Sequence, residues 1–566
     1  MASSSASQAT RSKELQQQAA VWGVPALPPL SLPLRPNTSP LSSNLRTPND
    51  ESLAEDLLKR RRLSAAQDNP QSGLRRAFTS SKKKSWDPKE IYDALDAHVA
   101  NSGSPGIAEA LVFKLVSTGA GLGAPTNKPK TNLLSRRKSM ETMSPSRILQ
   151  KAVENRQTDM VALLVQHADH FALDSALPIA IRSGDMAIVE LLLQYGANTS
   201  QTPEGQEAFR HICVTGGQAD LVGLILQSEG RPSQGWLSDC LVDAARKGCL
   251  DTVLRLSRST ADGNHRDAAA LKEAVTQCRV DIALAILTGT KPPTGRSLDE
   301  TFARLFAHTS IHPNDKQALA QALLCAGASG DVVSAALLQA CDVGNDDMVR
   351  LLVSFGASVD YRGGEALSIA VRTANVDMVK QLLTAKPTPE TLTRGFPHIK
   401  DLSPVDRYHM AELFLSSGLT GPCVSVALQD AIEQAPPRRD DRLISLLLSY
   451  NADVNSNDGA AVLSAVAHGD VALLARLVKN RPSPQTAAAG ILKAVGIPDR
   501  SKRHKMTSLL IDVGVGRETV IAVSEALVHV LRSKPLDVKL LDLQLGRGKA
   551  DVNFNDGAPL VQGMPP

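Results

Sequence analysis

Three features of this 566-residue chain are of kinds with which chemistry is done. The stretch "STGAGLGAPT", residues 117–126, is glycine-rich like a phosphate-cradling loop. Such a loop needs a strand before it and Gly-Lys-Ser/Thr after it, and neither is there, so it reads as a loop following a helix. His167 and His170 have the chemistry of metal ligands, but no further ligand stands at helical spacing, and they read as surface histidines. The seven cysteines, Cys213, Cys240, Cys249, Cys278, Cys325, Cys341 and Cys423, show no CxxC or Cys/His spacing. Their odd number and their position in apolar runs imply buried, reduced thiols in a reducing compartment. No GxSxG occurs, and scattered acidic pairs without a pocket give no acid–base assignment. The residues define no enzyme, no cofactor site and no metal site.

Charge is distributed unevenly. Residues 1–147 hold 21 Lys and Arg against 12 Asp and Glu, whereas the rest of the chain holds 41 against 46. The first 86 residues are rich in Ser, Pro and Gln and show no periodic apolar face, so a disordered basic tail is expected there. Within it, Lys59, Arg60, Arg61 and Arg62 form a basic cluster with two readings, a nuclear-import signal or a solvated charged segment. Arginines stand two or three residues before Ser64 and Ser139, which makes both serines candidate phosphorylation sites; a phosphate there cancels local positive charge. The start lacks the apolar segment of a secretory signal, and the longest apolar run, "VIAVSEALVHVL" at 520–531, is interrupted by Glu525. No membrane contact is expected, and the location is read as intracellular, cytoplasmic or nuclear.

The elements that position side chains in the remainder come from a repeat. "DMAIVELLLQYGANTS" at 185, "NDDMVRLLVSFGASVD" at 345 and "DRLISLLLSYNADVN" at 441 place apolar residues at helical spacing and end in a turn-prone residue. Gly196, Gly356 and Asn451 stand where such a helix ends in the left-handed region. From Val165 to Leu545 twelve steps cover 380 residues, a mean just under 32. Before each of these helices comes a second phrase with a small residue at one place, Ala180, Ala244, Ala340, Ala370 and Ala465, where helices must approach closely. The unit is therefore a short helix, a tight turn, a longer helix and a loop, stacked on its neighbours.

These phrases resemble the ankyrin repeats, in the period, in "GASVD" and "ADVN" after the second helix, and in "GDMAIVELLL". The resemblance covers roughly residues 88–558 and implies an all-α helical solenoid of about fourteen repeats. The family's Thr-Pro-Leu-His opening is missing; "EALSIA" and "AAVLSAV" stand in its place. Individual repeats are then expected to depend more on stacking. The expected organisation is a tail over 1–86, a divergent first helix pair over 87–124, a flexible basic linker over 125–146, the array over 147–558 and a terminal segment over 559–566. Longer turns near 308, 397, 433 and 496 are places for an added contact surface.

The family resemblance implies a protein–protein interaction scaffold that binds through its concave face and loop tips. Tyr361, Arg362, Asn457, Asp458 and His468 are the candidate partner-binding residues. An alternative is a nuclear regulatory or signalling cofactor whose basic tail supplies import. Arg182, Arg246 and Arg372 share one position, but Asp342 and Ala467 fill it elsewhere, and with few aromatic residues nucleic acid is not the expected partner of the array. The nine-residue phrase "ADVNSNDGA" at 452–460 recurs as "ADVNFNDGA" at 550–558, three repeats later. It is read as the loop between repeats, with Val454 and Val552 as buried anchors and Asp-Gly as the turn. Its second copy announces a repeat that does not follow, which leaves a partner-covered edge, a frayed edge or a shortened chain as the readings.

Overall fold

The computed structural model describes residues 2–24, 48–68, 86–118, 146–308, 310–434, 439–514, 516–532, 536–555 and 557. Among these residues the ordered elements are helices. Two units divide the chain, residues 1–328 and 329–566. Unit one carries seven helix pairs, from Pro88–Ala100 with Pro105–Ser117 to Arg296–Ala307 with Pro313–Ala326. Unit two also carries seven, from Asp331–Val343 with Asp346–Ser354 to Arg517–Arg532 with Val538–Gly546. Within each unit the first helix of a pair packs on the first helix of the next, and the second on the second. Each pair buries its apolar faces only by having neighbours.

Local sequence explains the pairs. Seven of the fourteen second helices, those after Asp185, Asn345, Asn375, Asp440, Asp470, Asp499 and Asp537, start at an Asp or Asn that accepts from the first turn: Asn345 from Met348 N–H at 3.0 Å, Asn375 from Met378 N–H at 3.0 Å and Asp470 from Leu473 N–H at 2.9 Å. The small residues Ala180, Ala244, Ala340, Ala370 and Ala465 are all buried on the first helices. Gly356 and Asn451 end second helices with φ of 86° and 61°.

The helix lengths run opposite to expectation. In most pairs the first helix is the longer: Asp331–Val343 has 13 residues and Asp346–Ser354 has 9. Segments such as "DVVS", which look like loop, form its first turn. The turn near 496 is likewise shorter than its sequence suggests, because Arg500–Ile511 is helical throughout.

The tail over 1–86 is not uniformly unstructured. Helices span Ala2–Val21 and Pro48–Asp68. The first packs on the second helices Val280–Leu287 and Pro313–Ala326, burying Leu15 and Ala19. The other packs on Pro88–Ala100 and Pro105–Ser117 through Ala54 and Leu58. Each is a single i, i+4 apolar pair inside a run of good helix formers, too sparse to stand out as a periodic face. Nearly all of the segment expected as a linker, 125–146, lies outside the described residues, as do 558–566.

Candidate interaction surface

The loops between pairs are held by a recurring hydrogen bond that compensates for the missing Thr-Pro-Leu-His opening. A small polar residue in the first turns of a first helix accepts from a loop N–H some 24–28 residues later. Asp174 Oδ1 accepts from Asn198 at 2.6 Å, and Ser238 Oγ from Asp262 at 2.9 Å. Ser334 and Ser425 do the same for Ser358 and Asp453, both at 3.0 Å, and Ser524 for Asp551 at 2.7 Å. Four of the five acceptors stand six residues before a small residue on the same helix, Ala180, Ala244, Ala340 or Ala431.

Where that place holds Ala268, Gly364 or Gly459, no acceptor is available, and an Asn or Asp four residues earlier takes over. Asn264 Oδ1 accepts from Thr294 N–H and Asp360 Oδ1 from Thr388 N–H, each at 2.9 Å; Asn455 Oδ1 accepts from Ser483 N–H at 2.6 Å. Each donor belongs to the loop entering the following pair. The three residues leading into these first helices, 266–268, 362–364 and 457–459, all have left-handed backbone.

The repeated phrase is thereby accounted for. Asp453 is held by Ser425, accepts from Asn455 N–H at 2.9 Å, and so orients Asn455 toward Ser483 and Thr486. In the second copy Ser524, Asp551 and Asn553 repeat the first two bonds. Val454 is buried as expected, but Val552 is 37 % exposed, because among the described residues no later pair covers it.

A carboxylate in the Asp174 role is costly. Burial lifts this carboxyl above the usual range, and the Asn198 N–H offsets only part of that. A raised carboxyl makes the folded state bind protons more readily, so its contribution falls as pH climbs from about 4 through the folded value. Asp174→Ser, the residue used at 238, 334, 425 and 524, is expected to raise stability at pH 7 by on the order of 1 kcal/mol. The gain should vanish near pH 3.5 in thermal unfolding; an equal gain at both pH values would contradict this origin.

The pinned loops present four of the candidate residues. Arg362 is exposed with its guanidinium 5.6 Å from the Tyr361 ring centre, and Tyr361 is half-buried. Asn457 and Asp458 are exposed, Asn457 Nδ2 donating to Gln429 Oε1 at 3.2 Å. These two loops are equivalent and lie three pairs apart. His468 is not with them: it is exposed at the opposite end of the helix Ser456–Ala467, its Nδ1 2.9 Å from Ser464 O.

The front-end candidates belong to a docked helix. Lys59, Arg60, Arg61, Arg62 and Ser64 fall on Pro48–Asp68, Lys59 pairs with Asp56 at 3.6 Å, and Arg60 and Arg61 border a cleft of about 320 Å³ with His98 and Asn101. Ser139 lies outside the described residues. His167 and His170 are exposed. Four cysteines are buried, whereas Cys249, Cys278 and Cys423 are partly exposed, and none forms a disulfide. Among the described residues no group of three His, Cys, Asp or Glu gathers as a metal site, and no helix is long and apolar enough to cross a membrane.

The family described as "Ankyrin repeats (3 copies)" matches residues 149–234 and 308–391. No curated protein matches the chain. A solved circular tandem repeat protein with novel repeat topology and enhanced subunit contact surfaces aligns over 92 % of this chain and 95 % of its own at 12 % identity, with a TM-score of 0.10, too low to bear on the fold. The matched segments fall one in each unit, and the same stacked helix pair recurs through both units, so the chain carries ankyrin repeats over 149–234 and 308–391.

Proposed function

We propose that the chain is a non-enzymatic scaffold that binds a protein partner through its loop tips and the layer of first helices. The observation that supports this reading most is the set of pinned loops. Their backbones are held at Ser358 and Asp453 by Ser334 and Ser425, and Asp360 and Asn455 bond on to the following pairs, while Arg362, Asn457 and Asp458 stay exposed. A rigid backbone carrying exposed polar and charged groups loses little entropy on binding, and an arginine so held makes a good anchor. Ankyrin repeats bind protein partners generally, which agrees with this use of the surface.

The test is affinity capture with the full chain, followed by the variants Arg362→Glu and Asp458→Arg. At least one is expected to weaken the recovered partner about tenfold, roughly 1.4 kcal/mol, with an unchanged melting temperature. Recovery of no reproducible partner would refute the scaffold reading. Full binding by both variants would remove the loop tips from it.

A further inference from the structure

The third pair of unit two departs from the others in a way that builds a cavity. Its first helix, Pro389–Gly395, stops after 7 residues and continues as a 3-10 coil, Phe396–Asp401. Pro397 has no N–H to continue an α-helical ladder, and the tighter coil packs beside a full α-helix, Pro422–Glu433. Between them opens a cavity of about 300 Å³. Its floor is apolar, with Phe396, Ile399, Ala431 and Leu443 each no more than 5 % exposed. At its mouth Val426 is 51 % exposed. This volume is at the lower end of ligand pockets, which run from about 300 to 1,000 Å³, and suits a side chain or two.

The rim carries two cations, Arg407 and Lys400, against one carboxylate, Asp430. Arg407 Nη2 donates to the carbonyls of Lys400 and Leu402 at 2.8 and 2.9 Å, while its Nε–H is buried with no acceptor. Among the described residues neither Arg407 nor Lys400, which also lines the cavity, forms an ion pair with a carboxylate. A guanidinium is always charged, and a buried donor left unsatisfied is unfavourable. Asp430 on the rim balances only one of the two cations.

We propose that this cavity is a docking site for an acidic peptide segment of a partner protein, one apolar side chain entering it while a neighbouring Asp or Glu carboxylate meets Arg407 and Lys400. The inference rests on the scaffold reading and gives the chemistry of one partner segment. The site is formed where the first helix breaks, away from the loop tips.

The experiment selects displayed random 12-residue peptides on the full chain. Enriched sequences should carry Leu, Ile, Met or Phe within two positions of Asp or Glu. Synthetic copies should slow iodoacetamide labelling of Cys423, which lines the cavity and is partly exposed, at least threefold by peptide mass spectrometry. Binding should fall at least tenfold in Val426→Glu, which adds a repelling charge at an exposed position, and in Ala427→Trp, which fills the space. Lys400→Glu should cost about threefold, and replacing the peptide's acid by its amide about tenfold.

No enrichment, binding indifferent to Val426→Glu and Ala427→Trp, or an amide peptide that binds as well as the acid would each overturn the proposal. Protection of Cys423 by octanoate but by none of the peptides would instead assign the cavity to a small carboxylate, and overturn it too. A captured partner that binds the Val426→Glu and Ala427→Trp chains fully leaves the scaffold reading standing without this site. Peptides that bind as expected while no protein partner is ever captured separate the two in the other direction.

Discussion

A Gly459→Val chain is expected to lose roughly 3 kcal/mol of local stability around the pairs that flank the substitution. Gly459 has φ of 75°, a conformation that costs an L-residue about 1–2 kcal/mol and suits a β-branched one least. A β-carbon there also overlaps Thr486 Cγ2 of the following pair, and overpacking adds about 1–3 kcal/mol. Gly364 meets Thr391 in the same way, so the contact belongs to the repeat. Native-state hydrogen exchange should lose roughly a hundredfold of protection over 456–494, with little change in Asp331–Val343, since coupling in a stack is between neighbours. Gly459→Ala should be milder, and Thr486→Ser should recover part of its loss by removing the overlapping methyl. Uniform loss across unit two, or no recovery in the double variant, would contradict the neighbour-contact origin.

The second large effect is expected at Arg439. Its side chain is 7 % exposed and joins two pairs, with Nε 3.0 Å from Asp441 and Nη2 2.5 Å from Asp470, which also caps the helix Val471–Val478. Burial pushes the Asp470 carboxyl up, but the Leu473 N–H and the Arg439 guanidinium outweigh it and hold the group below its usual 3.8. Arg439→Met leaves Asp470 without its ion partner and should cost about 3 kcal/mol at pH 7. A depressed carboxyl contributes its stability above its unfolded value and loses it as pH falls through the folded one. Wild type and variant should therefore differ most above pH 4 and converge in acid, where Asp470 is protonated. Thermal unfolding at pH 7 and pH 3 checks this, and a difference of equal size at both would show that Arg439 acts through packing alone.

What was legible in the residues followed from locality. The period, the buried alanines and the left-handed terminators Gly356 and Asn451 each depend on a few neighbouring positions. The loop pinning did not show, because Ser334 and Ser358, or Ser425 and Asp453, are 24 and 28 residues apart and a lone serine carries no sign of its partner. Its signal was present all the same, as a small polar residue six positions before the alanine, with an Asn or Asp in the preceding loop wherever that place is Ala or Gly. First-helix length was misjudged for a related reason: Ser334 faces a loop, so the turn that carries it looked like loop. Among the candidate residues, the neighbours Asn457 and Asp458 are placed on an exposed tip, while Asn455, two residues earlier, makes the cross-pair bond and was passed over. The helices Ala2–Val21 and Pro48–Asp68 were missed because two apolar contacts each are enough to dock a helix but not to mark one.

The cross-pair bonds at Asn264, Asp360 and Asn455 all point the same way, with the acceptor on the earlier pair and the N–H on the later one. A stack built on such bonds has chemically unlike faces. A break on the C-terminal side of one of these pairs bares a carbonyl-type oxygen, and the other side of the same break bares an N–H. A protein that seals the first must arrive as a donor and one that seals the second as an acceptor, so two such arrays can be spliced head to tail, whereas splicing them head to head sets like against like.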